Sequence, residues 1–142
     1  MVQKLHQMSE RLEVSESVIS NSTYDDVNMS KSRFHNINLS VSKFADANLS
    51  NAKFEDTNMS NSVMSDVNLA FVSFANSLMA SAHFEQVNLA GAKYDDVNMS
   101  GTQFVNVNMS NVTIENANLA GMQIDGVAVS DLFAAYTAAQ NA

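Results

Sequence analysis

Residues 44–69 read FADANLSNAKFEDTNMSNSVMSDVNL, and a large apolar residue returns at every fifth position of this stretch. These residues are Phe44, Leu49, Phe54, Met59, Met64 and Leu69. An α-helix advances about 100° per residue, so steps of five move about 140° around it and cannot keep one side apolar. A period of five therefore indicates a short extended segment and a corner, repeated as a solenoid.

The same register continues without a break from Ile19 to Val129, and every position in it is apolar. We call these positions the centres and expect them to form the core. The predicted core centres include Phe34, Leu39, Phe44, Leu49, Phe54, Met59, Leu69, Phe74, Phe84, Leu89, Tyr94, Phe104 and Leu119. Two positions before a centre, a smaller residue such as Val27 shares the inward face, because residues two apart lie on one side of an extended segment.

The residue two positions after a centre has the opposite chemistry. Asn and Asp are frequent there, and all four glycines of the chain occupy this position: Gly91, Gly101, Gly121 and Gly126. Gly, Asn and Asp are the residues that best tolerate a left-handed backbone. The pattern therefore predicts a corner every five residues.

Residues 47–51 read ANLSN, residues 87–91 read VNLAG and residues 117–121 read ANLAG. These units resemble the A(D/N)LXX unit of the pentapeptide-repeat family, and the resemblance extends over roughly residues 12–131. It implies an all-β fold, a right-handed quadrilateral β-helix with four units per coil. Residues twenty apart would then stack, with aromatic centres on two opposite sides and Leu and Met on the other two. On the Leu and Met sides Asn precedes most centres, so stacked Asn side chains are expected to form amide ladders.

The ends of the solenoid need caps because terminal coils expose core and strand edges. We expect residues 1–13 to form an N-terminal cap, since their apolar residues have helix-like spacing. Residues 14–131 would form about five and a half coils, and residues 132–142 a C-terminal cap or short helix N-capped by Asp131. In this last segment the candidates for closing the coil or for a dimer contact are Leu132, Phe133 and Tyr136. The resemblance implies that a homodimer through this end is possible.

Acidic residues between positions 19 and 131 gather almost entirely after the aromatic-side centres. They are Asp25, Asp26, Asp46, Glu55, Asp56, Asp66, Glu85, Asp95, Asp96, Glu115 and Asp125. The four-sided arrangement therefore predicts two opposite acidic corners. One interpretation is that Asp suits the turns and keeps the protein soluble. The other is that the corners form an acidic interaction surface.

Composition excludes several function classes. The chain has no cysteine, which excludes disulfides and thiolate metal sites, and its net charge of −8 disfavours direct binding of nucleic acid. No membrane-spanning run and no secretory signal appear, so we expect a cytoplasmic protein. The three histidines are isolated in sequence, and no nucleophile, phosphate loop or metal-ligand spacing is apparent. The acidic pairs lack a calcium cage, so neither catalysis nor a metal or cofactor is expected.

Two functions agree with these observations. The first is a non-enzymatic structural or protein-interaction scaffold whose protein partner is unknown. The second follows from a resemblance in fold to the Qnr- and MfpA-type proteins, which implies an acidic DNA mimic that binds DNA gyrase or topoisomerase IV and modulates quinolone sensitivity. The short rod and the absence of inserted loops depart from that pattern.

Overall fold

A computed structural model describes the backbone of residues 4–6 and all of residues 13–141. The chain forms a parallel β-solenoid of about six turns that ends in a helix. Most strands have two or three residues, because each side of a coil is followed at once by a corner, and two strands of six residues continue through a corner. Two opposite sides of the solenoid carry the sheets.

The first sheet has eight strands in the order β1-β3-β5-β7-β9-β11-β13-β14. Its strands are β1 (Lys4–His6), β3 (Thr23–Asp25), β5 (Lys43–Ala45), β7 (Val63–Ser65), β9 (His83–Glu85), β11 (Gln103–Val105), β13 (Gln123–Ile124) and β14 (Val127–Ala128). The second sheet has the order β12-β10-β8-β6-β4-β2. Its strands are β2 (Glu13–Ser15), β4 (Arg33–His35), β6 (Lys53–Glu55), β8 (Ser73–Leu78), β10 (Lys93–Asn98) and β12 (Thr113–Glu115).

The strand register gives the size of one coil. Phe54 is the parallel partner of Phe34 on one side and of Phe74 on the other. Each partner is twenty residues away, so four five-residue units make one coil, as the resemblance implied. On the other two sides neighbouring coils meet through isolated bridges, such as that between Asn48 and Asn68.

Every fifth residue from Glu16 to Gly126 has a positive φ, which confirms the predicted corners. The corners include Val41 at 61° and Phe71 at 58°, although neither residue type favours this conformation. The neighbouring coil holds them there, because the Phe71 N–H donates to the carbonyl of Ala90 at 2.9 Å. The Phe71 ring also lies over Gly91, where an added Cβ would be 2.6 Å from the ring.

The core consists of stacked centres. From Tyr24 to Phe104 the centres are buried, and aromatic rings on the two sheet sides stack with centroids 4.6 to 5.0 Å apart. Each buried centre contributes about 1.5–3 kcal/mol. Most of the Asn residues do not form the expected amide ladder. Instead the side-chain oxygen of Asn48 accepts from the Ser50 N–H at 3.0 Å, a local turn contact that recurs along the chain.

The N-terminal segment differs from the expectation of a helical cap. Residues 4–6 form strand β1, which pairs with β3 and sets Leu5 opposite Tyr24. A helix was therefore the wrong prediction at this point, because a strand can satisfy the hydrogen-bonding edge of β3. The rest of the predicted N-terminal cap lies outside the described residues.

The solenoid ends at a hairpin. Asp125 and Gly126 have φ values of 48° and 79°, the pattern of a tight two-residue turn, and β13 and β14 pair antiparallel across it. Helix α1 (Val129–Gln140) follows, with Ala128 as its N-cap. The prediction that Asp131 is the N-cap is wrong, because the helix begins at Val129, two residues earlier, and Asp131 lies inside its first turn.

Candidate interaction surfaces

The first acidic corner follows the strands of the first sheet. Asp26, Asp46 and Asp66 occupy the same corner on three consecutive coils, and we call them the Asp26 column. All three are exposed. Each backbone N–H donates to the next coil at 3.1 Å, from Asp26 to Ala45 for example, so the backbone spacing is that of adjacent strands, about 4.8 Å.

The second acidic corner follows the strands of the second sheet and consists of Glu55, Asp56, Asp95, Asp96 and Glu115, all exposed. Here Asn alternates with Asp at the corner itself, since Asn36 and Asn76 flank the coil of Asp56. Asp95 accepts a 3.0 Å hydrogen bond from the side-chain amide of Asn116. The left-handed corner residues Asp56 and Asp96 are therefore two coils apart, whereas Asp95 and Glu115 beside them are partners on adjacent strands. This corner also has internal partners for its carboxylates, in contrast to the Asp26 column.

The remaining predicted acidic residues lie beside the Asp26 column. Asp25 is half-buried and has partners of its own, whereas Glu85 and Asp125 are exposed. The Glu85 carboxylate lies 3.5 Å from the His83 ring, and Asp125 accepts a 3.0 Å hydrogen bond from the Asn106 N–H. These three residues do not extend the column as exposed, unpaired charges.

The C-terminal end of the solenoid is open. The centres Ile114 and Leu119 of the last coil are half-buried, although the sequence placed Leu119 in the core. Helix α1 stands over them without filling the space and leaves an apolar cavity of about 410 Å³. The three residues predicted to close the coil, Leu132, Phe133 and Tyr136, all line this cavity, and all three are exposed.

The structure also brings together a group that the sequence analysis missed. His35 lies opposite Glu55 on adjacent strands, and its Nε2 is 3.3 Å from a carboxylate oxygen of Asp56. Ligand atoms of the three side chains lie within 4.8 Å of one another. Glu55 and Asp56 follow His35 by twenty and twenty-one residues, which is about one coil. The coil length could therefore have revealed this group in the sequence.

Two buried tyrosines, Tyr24 and Tyr94, have pKa values raised by burial. Burial raises the pKa of the Tyr94 hydroxyl above its usual value, and that hydroxyl has no hydrogen-bond partner among the described residues. Burial also raises the pKa of Tyr24. Tyr94 stacks on Phe74 inside the tube, so this shift reflects core packing and offers no reactive group to solvent.

Taken together, the register, the corners and the surface define a parallel β-helix repeat protein with acidic side chains at and beside two opposite corners. A family description of pentapeptide repeats matches residues 42–79 and 82–121 in eight copies. The chain therefore belongs to the pentapeptide-repeat family.

Solved structures of other pentapeptide-repeat proteins resemble the chain at low identity. A trypsin-treated variant of QnrB1, a plasmid-mediated fluoroquinolone resistance protein, is 14% identical, with 96% of this chain and 98% of that chain covered and a TM-score of 0.33. Rfr23 from the cyanobacterium Cyanothece 51142 is 15% identical, with 86% and 87% covered and a TM-score of 0.31. A protein from the thylakoid lumen of Arabidopsis thaliana is 20% identical, with 79% and 64% covered and a TM-score of 0.29.

A comparison with curated protein sequences finds no significant match. Within residues 4–6 and 13–141, no helix has the length and apolar character needed to cross a membrane.

Proposed function

We propose that the protein is a non-enzymatic scaffold that binds a protein partner through the Asp26 column. The observation that carries this proposal is the stacking of three exposed carboxylates, from Asp26, Asp46 and Asp66, on consecutive coils. Among residues 13–141 no ion pair or hydrogen bond of Asp26 or Asp46 side chains neutralises them, whereas the second corner has internal partners. A basic protein surface fits such a column.

The corner geometry favours a binding role over a purely structural one. Asn occupies the same left-handed corner elsewhere in the chain, for example at Asn36 and Asn51. The turn therefore does not require a carboxylate, and like charges on adjacent coils, whose backbones are about 4.8 Å apart, repel one another in the free protein. A cationic partner would relieve this repulsion.

The test replaces the column with its neutral equivalent. The triple variant Asp26→Asn, Asp46→Asn and Asp66→Asn should keep its circular dichroism spectrum. It should capture at least about tenfold less of the partner from a lysate of the source organism. Capture by the wild-type protein should weaken as salt is added, because salt screens the attraction between charges. The matched control is Asp95→Asn with Asp96→Asn at the second corner, which should capture the partner normally. Equal capture by the triple variant would exclude the Asp26 column as the binding surface.

We further propose that two copies of the chain pair through the C-terminal end. The half-buried centres Ile114 and Leu119 and the exposed side chains of α1 leave an apolar surface that a second copy would cover. Phe133→Lys should therefore turn a dimer into a monomer in sedimentation-velocity ultracentrifugation. Lys43→Ala, a change at the side of the tube, should leave the dimer unchanged, and a wild-type monomer at high protein concentration would contradict the pairing.

The second candidate function is an acidic mimic of DNA that binds a type II topoisomerase. It is favoured by the regular Asp26 column and by the resemblance noted in the sequence. One corner carries a charge about every 4.8 Å, whereas duplex DNA carries one about every 1.7 Å. A coil stack of ~27 Å is also short. A dimer would double the length of the rod, so this function rests on the pairing proposed above.

Purified gyrase distinguishes the two functions. A mimic should inhibit supercoiling or protect the enzyme from ciprofloxacin, and the triple Asn variant should lose the effect while the second-corner control keeps it. No effect of the wild-type protein at micromolar concentration would exclude gyrase as the partner and leave the scaffold proposal standing.

A further inference from the structure

We propose that His35, Glu55 and Asp56 form a surface site for a divalent transition-metal ion of the zinc type. The site is separate from the Asp26 column, because it lies at the opposite corner of the tube and uses strands of the second sheet. It adds a ligand-binding role to the proposed scaffold and does not depend on the partner of that scaffold.

The distances suit a metal ion. His35 Nε2 and a carboxylate oxygen of Asp56 are 3.3 Å apart, and the ligand atoms of all three residues lie within 4.8 Å of one another. Zinc binds nitrogen and oxygen ligands at about 2.0–2.2 Å, so two ligands of a tetrahedral ion lie roughly 3.3–3.5 Å apart. The His35 and Asp56 atoms already have this separation, and rotation of the exposed Glu55 side chain can complete the set.

The backbone under the site is held in place. His35 and Glu55 end adjacent strands in register, and beneath them the rings of Phe34 and Phe54 stack at 4.7 Å. The Asn36 N–H donates to the Glu55 carbonyl at 3.0 Å, and the Asp56 N–H donates to the carbonyl of the next coil at 3.1 Å. Only side-chain rotations remain to be restricted when an ion binds, which lowers the entropic cost.

The donor set indicates the class of ion. One imidazole nitrogen and two carboxylate oxygens match the ligands of zinc and its neighbours among the transition metals, with water completing the coordination. Calcium and magnesium prefer oxygen ligands alone. Arg33 and Lys53 precede His35 and Glu55 by two residues on the same strands, and their positive charges oppose binding, so we expect a site of modest affinity.

The opposite sheet contains a natural control. His83 lies 3.5 Å from Glu85, two residues along the same strand, whereas the His35 contact joins two coils, and the residue after Glu85 is Gln86 rather than an acid. No third ligand joins this pair among the described residues. If any exposed histidine–carboxylate pair sufficed, both places would bind zinc equally.

The experiment titrates zinc chloride into the metal-free, full-length protein by isothermal titration calorimetry, with cobalt absorption as a second readout. Wild type and His83→Ala should bind one ion at the same affinity. His35→Ala, Glu55→Ala and Asp56→Asn should each weaken binding by at least about tenfold. These replacements occur naturally in the fold, since Ala75 and Asn76 stack on Glu55 and Asp56.

Thermal unfolding supplies an independent check. Zinc should raise the melting temperature of wild type and His83→Ala, but not that of Asp56→Asn, because an ion that binds the folded state stabilises it. Absence of zinc binding by wild type, or equal binding by wild type and His35→Ala, would overturn the proposal.

Discussion

The inner coils and the last coil follow the same five-residue pattern, yet they bury their centres to different extents. Phe74 lies between Phe54 and Tyr94 and is fully buried, whereas Ile114 stacks on Tyr94 from one side only and is half-buried. Helix α1 does not cover the last coil as another coil would, because a cavity remains between the helix and the centres of that coil. The pattern thus specifies the shape of each coil, but burial requires a neighbour on both faces.

The largest expected effect comes from breaking the register within the inner coils. Insertion of one residue after Ala70 should shift every following centre from the inside of the tube to a corner or an outward position, since each side holds five residues. We expect a loss of more than about 4 kcal/mol of unfolding free energy, or no cooperative fold. Urea denaturation followed by circular dichroism measures this loss.

The control insertion is placed after Gln140, at the end of α1. No coil follows that position, so the insertion should change stability by less than about 0.5 kcal/mol. If both insertions were tolerated equally, the five-residue register would not determine the fold.

The next largest effect is expected when a charge is placed in one column of stacked centres, either in an inner coil or in the last coil. Phe74→Asp places an unpaired charge in a fully buried position and should cost at least about 4 kcal/mol. In the monomeric Phe133→Lys background, Ile114→Asp should cost only about 1–2 kcal/mol, because the new carboxylate can reach water at the open end of the unpaired tube. Urea unfolding of both aspartate variants in that background gives the ratio, and similar losses would contradict an open last coil in the single chain.

The smallest effect concerns the buried hydroxyl of Tyr94. Its column contains Phe34, Phe54 and Phe74, so Tyr94→Phe removes an unpartnered polar atom without changing the ring stack. Stability should rise by about 1 kcal/mol. Tyr136→Phe, at an exposed position of α1, should leave the unfolding free energy unchanged, and a loss of stability in Tyr94→Phe would indicate a hidden partner.

The same residue predicts a dependence on alkaline pH. Burial raises the pKa of Tyr94 in the folded state above the usual value of 10.0. The unfolded chain releases the proton first, so stability is intact below about pH 10 and falls above it by up to about 1.4 kcal/mol per pH unit. Tyr94→Phe should reduce this slope in urea unfolding at pH 9 to 11, leaving the part that arises from Tyr24, whose pKa is also raised by burial.

Much of the fold could be predicted from sequence because the pattern is local and repeated. The positions of the corners followed from Asn, Asp and Gly at every fifth residue, and the structure has a positive φ at each of them. The ends could not be predicted in the same way. Only two or three residues set the hairpin at Asp125 and Gly126, and the start of α1 depends on Val129 packing at the end of the tube.

The candidate sites were predicted in part. Sequence indicated two acidic corners, but it treated them as equivalent and treated His35 as isolated. The structure separates the corners because the neighbours of each acid lie one coil away, twenty residues distant in sequence. Asp56 therefore lies next to His35, whereas Asp26 and Asp46 lie next to each other on adjacent coils.

The sequence by itself determined the five-residue side, the inward and outward faces and the corner positions, because each depends on residues within a few positions of one another. The tertiary structure decided which centres are fully buried, which carboxylates have partners and where the solenoid ends. These properties depend on contacts between coils, so they appear only when units twenty residues apart are stacked. Even Val41 and Phe71 adopt the corner conformation, since hydrogen bonds from the next coil outweigh their local preference.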